Sequence, residues 1–457
     1  MLQSQTLARS GGRARSVLLR RTCATLLAVV FLGNAAAITW LWVHGGNLHP
    51  HSTGDLLTGI GRLTGLLGAY LALVQVVLLA RLPVLERLVG FDRLTVWHRW
   101  NGHVCIDLVL AHVIFTVWGY SLVDRYPLSK EISTMLGGGI YPGMITATIG
   151  TALFIAVVAT SLVIVRRRLR YEWWYSVHLM AYAAIALSWF HEIPTGNELV
   201  LDRVAADYWR ALYLLTIAVL VIWRVLVPLS RAARYRLRVA EVTPEGPGVV
   251  SLRITGRRLD RMGAHAGQFF LWRFLARHAW GTAHPFSLSA VPEDGSLRIT
   301  VKGLGDHTAR VAQIPPGTRV IAEGPFGVFT DDRRHSDKAV LIAGGIGITP
   351  IRALMETMKG DLVVLYRALT DEDVIFREEL DAIATAGGAV VHYLIGDHQG
   401  NGRELLAPKH LLELVPDLVE RDVFLCGPPA MAAFILKNVR DARVPRRQIH
   451  AERFALI

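Results

Sequence analysis

At 457 residues, 52% of them hydrophobic, the chain is long enough for two or three domains and apolar enough for one of them to lie in lipid. The formal net charge of +12 would suit a nucleic-acid partner, but the arginines cluster at the edges of apolar stretches, which reads as membrane topology instead. Three cysteines, Cys23, Cys105 and Cys426, are too few and too scattered for a disulfide framework, a cysteine zinc site or a four-cysteine iron–sulfur cluster.

In chain order, residues 1–21 form a basic tail with Arg9, Arg13, Arg15, Arg20 and Arg21, and residues 22–230 form a membrane domain. Six apolar stretches, near residues 22–43, 56–80, 98–120, 143–165, 173–192 and 209–229, approach or exceed the roughly 20 residues that span a bilayer. A signal peptide is the alternative for the first, but its apolar run continues through Trp40 and Trp42. Arginines crowd alternate connections: Arg81, Arg87, Arg93 and Arg99, then Arg166, Arg167, Arg168 and Arg170, then Arg231, Arg234, Arg236 and Arg238. By the positive-inside rule both termini are cytoplasmic, and an integral plasma (inner) membrane protein is expected.

Ionisable groups inside membrane helices are costly and are functional candidates by default. The third stretch holds His98 and His112, the fifth His178 and His191. Two helices with two histidines each could clamp two haems, one imidazole from either helix on each iron. Separations of 14 and 13 residues put the two levels roughly 20 Å apart. At about 100° per residue, a 14-residue step returns to within roughly 40° of the same face, so His98 and His112 share one. The 13-residue step leaves His178 and His191 about 140° apart on an ideal helix, and needs an overwound or tilted end near Pro194. Arg62, near the outer end of the second stretch, needs an anion such as a haem propionate, or snorkels to the surface. His44, His49 and His51 in the first outer loop are solvated residues or a weak metal lure.

Residues 235–330 show short β-branched runs broken by Gly and Pro, the pattern of a small antiparallel barrel. It carries Gly267-Gln268-Phe269-Phe270, then His284-Pro285-Phe286-Ser287-Leu288-Ser289, then Lys302-Gly303-Leu304-Gly305-Asp306-His307-Thr308. A flavin needs an apolar wall, a hydroxyl near N5 and cationic or backbone donors for its diphosphate, which Phe286, Ser287 and the segment from Lys302 to Thr308 supply.

Residues 335–457 alternate strand, glycine turn and helix, an α/β Rossmann-like pattern. Gly344-Gly345-Ile346-Gly347-Ile348-Thr349-Pro350 lets backbone amides approach a diphosphate at a helix N-terminus. The next strand ends at Arg367, a cation suited to the 2'-phosphate of NADPH, with NADH the alternative. A further strand ends in Cys426-Gly427-Pro428.

Together and in this order the motifs resemble the ferredoxin-NADP reductase superfamily, and with the membrane half they resemble the ferric reductase and NADPH oxidase family. The resemblance implies a six-helix transmembrane bundle, a β-barrel FAD domain and an NAD(P) domain. It implies that His284, Pro285, Phe286, Ser287, Gln268, Lys302, Gly305 and Thr308 bind FAD. Gly344, Gly345, Gly347, Thr349, Pro350, Arg367, Gly427 and Pro428 would bind the dinucleotide, with Cys426 beside the nicotinamide and the Glu452-Arg453-Phe454 ending over the flavin. His98 with His178, and His112 with His191, would hold two b-type haems. The implied activity carries electrons from cytoplasmic NAD(P)H to an outer acceptor, a ferric chelate first and dioxygen second. A haem-binding membrane sensor or quinone-linked subunit is the alternative of another class. His284 departs from the Arg usual in soluble reductases and matches the oxidases.

Overall fold

The computed structural model describes residues 2–137, 139–166, 168–169, 171–277, 283–292, 295–303, 306–311, 313–396 and 405–453. Gly305 and Phe454 lie outside the described residues. The chain divides into two compact units, Met1–Val89 with Arg93–Arg224, and Gly90–Asp92 with Val225–Ile457.

The first unit is helical. Its order is α1 (Leu2–Trp42), α2 (Thr53–Leu78), α3 (Pro83–Val89), α4 (Phe91–Val123), α5 (Leu128–Gly137), α6 (Met144–Ser161), α7 (Val163–Arg166), α8 (Tyr171–Thr195), α9 (Asn197–Leu201) and α10 (Arg203–Leu220). Local chemistry sets several starts. Ser52 accepts from Asp55 N at 3.1 Å ahead of α2, and Asp202 accepts from Val204 N at 2.8 Å ahead of α10.

Among the described residues five helices are long and apolar enough to cross a membrane: Thr22–Asn47, Thr53–Leu78, Arg93–Val123, Met144–Ser161 and Arg203–Tyr235. The sequence reading expects six. The helix that differs is α8, which has 25 residues but carries Glu172, His178, His191, Glu192 and Pro194, and these lower its mean hydropathy.

Glycines let α2 and α4 approach closely. A Cβ on Gly61 would lie 2.5 Å from Thr116 Oγ1, and one on Gly68 would lie 3.2 Å from the Val109 side chain. α6 packs along α8, where a Cβ on Gly150 would come 2.9 Å from Ala184 O.

The second unit opens with α11 (Val227–Tyr235) and two three-stranded antiparallel sheets. One has the order β1 (Arg238–Gly246), β2 (Val249–Thr255), β5 (Ser296–Lys302). The other runs β4 (His284–Ser287), β3 (Phe269–Phe274), β6 (Val320–Phe326). Along β6, buried and half-buried residues alternate, as a strand with one face on a core requires. The sequence reading expects a barrel. The two sheets meet through the single bridges Arg238↔Arg319 and Leu288↔Ile299, and no continuous ladder closes them among the described residues. Their shared core holds Leu252, Ile254, Phe270, Trp272, Leu288 and Ile299. The short α12 (Asp306–Val311) follows β5.

The rest of the unit is a five-stranded parallel sheet, ordered β11 (Ile449–Arg453), β10 (Asp422–Gly427), β7 (Lys338–Gly344), β8 (Asp361–Ala368), β9 (Val390–Ile395). β7 and β10 are nearly continuous apolar runs because both faces are covered. Leu341, Val364 and Phe424 face a core with α13 (Ile348–Thr357) and α14 (Arg377–Gly387). Val340, Leu365 and Leu425 face another with α15 (Pro408–Leu414) and α16 (Pro429–Asp441).

Candidate functional site

Four histidines form two facing pairs between α4 and α8. The rings of His98 and His178 have centroids 6.0 Å apart, and those of His112 and His191 6.3 Å apart. Three of the rings are held through Nδ1. His98 Nδ1 donates to Gln75 O at 3.2 Å, His112 Nδ1 donates to Gly61 O at 2.8 Å, and His178 Nδ1 lies 3.2 Å from Ser161 Oγ. Binding Nδ1 this way fixes the ring and leaves Nε2 as the ligand atom, the usual arrangement around a metal-ligating histidine. Two imidazoles on opposite sides of one metal, with nitrogens about 2 Å from it, have ring centroids roughly 6 Å apart. Each pair could therefore hold one iron.

α8 brings both of its histidines to α4 despite the 13-residue step. Near its end, Pro194 has no N–H for Phe190 O, and Thr195 Oγ1 bonds His191 O. A Cβ on Gly143 would lie 2.3 Å from Phe190 O, so the loop before α6 fits against that carbonyl only as glycine, with φ +78°.

Sequence reasoning missed the polar clamp around His98. Gln75 Nε2 donates to His98 O at 2.7 Å, and Asn101 Nδ2 donates to Gln75 Oε1 at 2.7 Å and Leu71 O at 2.9 Å. Amide side chains inside apolar stretches were the available signal. Arg62 donates to Asn47 Oδ1 at 3.2 Å, and Asn47 Nδ2 donates to the buried Glu198 at 2.8 Å. The partner seen for this guanidinium is thus an amide oxygen, with the Glu198 carboxylate one hydrogen bond further on.

In the second unit, β3 and β4 place the flavin-motif residues. Ser287 pairs with Phe269 and His284 with Trp272 across the ladder. The His284 and Phe286 rings stack at 6.0 Å, and Pro285 is half-buried. Trp272 Nε1 fixes the strand by donating to Phe286 O at 3.0 Å. Ser287 is 3% exposed, and its Oγ is buried with no hydrogen-bond partner among the described residues. An orphaned buried hydroxyl costs about 1–3 kcal/mol unless something pairs with it, which fits a ligand heteroatom at this position. Gln268 closes the preceding turn, its Oε1 accepting from His265 N at 2.9 Å. Lys302 pairs with Asp373 at 3.2 Å, and Thr308 is half-buried on α12.

The nicotinamide-motif residues converge at the carboxyl ends of β7, β8 and β10. A Cβ on Gly347 would lie 2.3 Å from Cys426 O, and one on Gly344 2.3 Å from Met431 Sδ, so these two glycines let the turn pack on the Cys426-Gly427-Pro428 segment. Gly345, at φ +51°, faces open space. Thr349 Oγ1 donates to Ile346 O at 3.0 Å, and Pro350 is buried in the first turn of α13. Arg367 bonds Ala368 O and, at 3.3 Å, Leu394 O. Cys426 is fully buried between Ala343 on β7 and Glu452 on β11. Burial first, and then the Glu452 charge, push its thiol far up, so it stays neutral.

A hub that the sequence did not reveal ties this sheet to β5 and to the segment after β4. Arg298 on β5 donates to both Glu379 oxygens at 2.9 and 2.8 Å, and to Ser289 O at 3.1 Å. Arg352 on α13 also pairs with Glu379 and donates to Ser289 O at 2.9 Å. Burial raises the Glu379 carboxyl, but the bonds from Arg298 and the charge of Arg352 outweigh it and the net shift is downward.

A helical unit with paired histidines and a unit with flavin- and dinucleotide-type motifs define a membrane electron-transfer oxidoreductase. Residues 64–189 match the family model for the ferric reductase like transmembrane component, and residues 341–437 match that for the oxidoreductase NAD-binding domain. The chain therefore joins a ferric-reductase-like transmembrane domain to a reductase module.

Among curated relatives, ferredoxin--NADP reductase B of Sorangium cellulosum is 28% identical over 188 residues, 37% of this chain and 77% of the relative. NADH oxidoreductase HCR of Escherichia coli is 28% identical over 46% of this chain and 66% of its own length. The ferredoxin reductase component of Mycobacterium tuberculosis 3-ketosteroid-9-alpha-monooxygenase is 32% identical over 41% of this chain. This chain spans 54% of that relative's length. Among solved structures, the Amycolatopsis cytochrome P450 reductase GcoB is 22% identical with a TM-score of 0.42, covering 48% of this chain and 69% of its own. A ferredoxin NADP+ reductase from Neisseria gonorrhoeae with bound FAD and NADP is 16% identical with a TM-score of 0.40, over 48% of this chain and 99% of its own.

Proposed function

We propose that this chain passes electrons from cytoplasmic NAD(P)H, through FAD and two b-type haems, to an acceptor at the outer face, with chelated ferric iron as that acceptor. The observation that carries the reading is the pair of facing imidazole couples, 6.0 and 6.3 Å apart, in the same chain as a NAD-binding domain. In this reading α8 is a sixth span, both termini are cytoplasmic, and residues 235–330 form the FAD domain ahead of a Rossmann-like NAD(P) domain. When bound, the flavin takes a two-electron hydride and yields single electrons, which haem iron carries one at a time.

His98 and His178 hold the cytoplasmic-side haem, and His112 and His191 the outer one. Gln75 O, Gly61 O and Ser161 Oγ occupy the Nδ1 atoms of His98, His112 and His178, so Nε2 of these three would be the atom that binds iron. Phe286 and His284 supply the flavin wall, and Ser287 Oγ donates to the flavin edge. Gly344, Gly345 and Gly347 admit the dinucleotide diphosphate, and Cys426 remains a neutral thiol beside the nicotinamide. Glu452 borders the nicotinamide side of Cys426 from β11. Arg367 favours NADPH over NADH.

Replacing His112 or His191 by Leu is expected to remove one haem per chain while NADPH-to-flavin transfer continues; unchanged haem stoichiometry refutes the assignment. His284, the residue type of the oxidases, favours a second reading in which dioxygen is reduced to superoxide. Ferrozine-detected iron reduction against superoxide-dismutase-sensitive cytochrome c reduction separates the two.

A further inference from the structure

Three metal-ligating side chains converge at the amino-terminal edge of the parallel sheet. Asp422 opens β10, four residues and about 13 Å of extended strand before Cys426, so the cluster lies away from the nicotinamide segment. The carboxylate is fully buried, and its Oδ2 accepts from the backbone amides of His335 at 2.7 Å and Ser336 at 2.6 Å. Those two bonds aim Oδ1 at a pair of imidazoles: His450 Nε2 at 2.9 Å and His335 Nδ1 at 3.5 Å. The two rings stack with centroids 6.1 Å apart at 11°, and Phe424 packs on His450 at 4.4 Å. All three ligand atoms lie within 4.8 Å of one another.

The 2.9 and 3.5 Å separations about Oδ1 suit ligands of a small divalent cation. Four-coordinate zinc, with bonds of about 2.0–2.2 Å, holds its ligand atoms roughly 3–3.6 Å apart. Two imidazoles and a carboxylate are zinc ligands, and backbone amides on the second carboxylate oxygen are the usual outer support. Burial raises the Asp422 carboxyl, but bonds from His450 and the amides of Ser336 and His335 bring it below the ordinary value, so it is anionic at neutral pH. The His335 side chain is 48% exposed, which leaves an entry path and room for solvent as a fourth ligand.

We propose that His335, Asp422 and His450 form a binding site for a divalent transition-metal ion, with Zn2+ the best match. The ion would tie the segment before β7 and the start of β10 to β11, whose residue Glu452 follows His450 by two positions. Zinc has no redox role, so the site is a staple for the C-terminal strand rather than an electron relay.

The test uses the full chain in detergent, stripped with a chelator and titrated with Zn2+ against a fluorescent zinc indicator. The wild type is expected to take one equivalent, and His335→Ala to bind at least tenfold more weakly while NADPH-driven flavin reduction stays within twofold. His335 is half exposed, so this variant is expected to fold where Asp422→Asn would not. The triple variant His44→Ala/His49→Ala/His51→Ala is expected to keep the equivalent. Absence of uptake by the wild type, unchanged affinity in His335→Ala, or loss in the triple variant would each overturn the proposal.

Discussion

A methyl group on Gly65 would lie 2.5 Å from His112 Nδ1, so α2 seats that imidazole only because residue 65 has no side chain. The same nitrogen donates to Gly61 O at 2.8 Å, one turn earlier. Gly65→Ala is expected to push the ring off that carbonyl and, on the proposed function, to cost the chain the haem that His112 and His191 would hold. Haem-to-protein ratio by pyridine haemochrome should fall from two to one, with flavin reduction by NADPH within twofold of wild type. Two haems per chain in the variant would separate the Gly65 contact from haem retention.

Arg367 ends β8 beside the glycine turn, its guanidinium anchored on Ala368 O and Leu394 O. On the proposed function, a fixed cation there would meet a 2'-phosphate through charge-assisted hydrogen bonds, each worth roughly 1.5–3 kcal/mol. Arg367→Ala is expected to lower kcat/KM for NADPH about tenfold or more and to change that for NADH by less than twofold. Parallel losses with both dinucleotides would assign Arg367 to the β8–β9 edge alone.

How much of this was readable in the sequence varies by element. His98 and His112 share a face because 14 residues nearly complete four helical turns, and that step could be counted. The meeting of His178 and His191 with their partners could not, since it depends on how the end of α8 around Pro194 fits against Gly143 in the loop before α6. The same polar residues that make α8 a candidate site keep it below the apolarity of the five helices long and apolar enough to span a membrane. The glycine turn and Cys426 were legible as local motifs. The bond between Arg298 and Glu379 joins residues 81 positions apart, and Lys302, read as a diphosphate ligand, meets Asp373 from 71 positions away. No local pattern encodes either distance.

Among the described residues Glu379 is the one carboxylate that meets both Arg298 and Arg352, and both arginines reach Ser289 O two residues beyond β4. Removing it takes the shared carboxylate from both cations; Arg352, only 8% exposed, keeps Glu356 at 2.9 Å, while Arg298 keeps only Ser289 O of the partners described above. A fully buried pair broken this way loses roughly 3–5 kcal/mol; Glu379 is over a third exposed, so about 2 kcal/mol is expected for Glu379→Ala. Because the hub joins β5 and α13 across the two lobes of this unit, the hydride step should slow together with stability. Stopped-flow flavin reduction and chemical denaturation read the two effects, and a slower hydride step with unchanged stability would assign Glu379 to orientation alone.

Acid should weaken the parallel sheet through Asp417. Hydrogen bonds from Arg421 Nε at 2.5 Å and Lys338 Nζ at 2.9 Å hold its carboxyl at about 2, below the ordinary 3.8. A carboxyl with a depressed folded-state pKa stabilises fully above its unfolded value and loses that contribution as pH falls towards the folded one. Asp417 is 27% exposed, so solvent screening limits the term to about 1 kcal/mol, or roughly 2–4 °C in melting temperature for a unit of this size. Asp417→Asn should therefore melt below wild type at pH 7, and the gap should narrow from about pH 4 and close near pH 2. A gap of constant size across that range would mean that packing, and not the charge on Asp417, accounts for the difference.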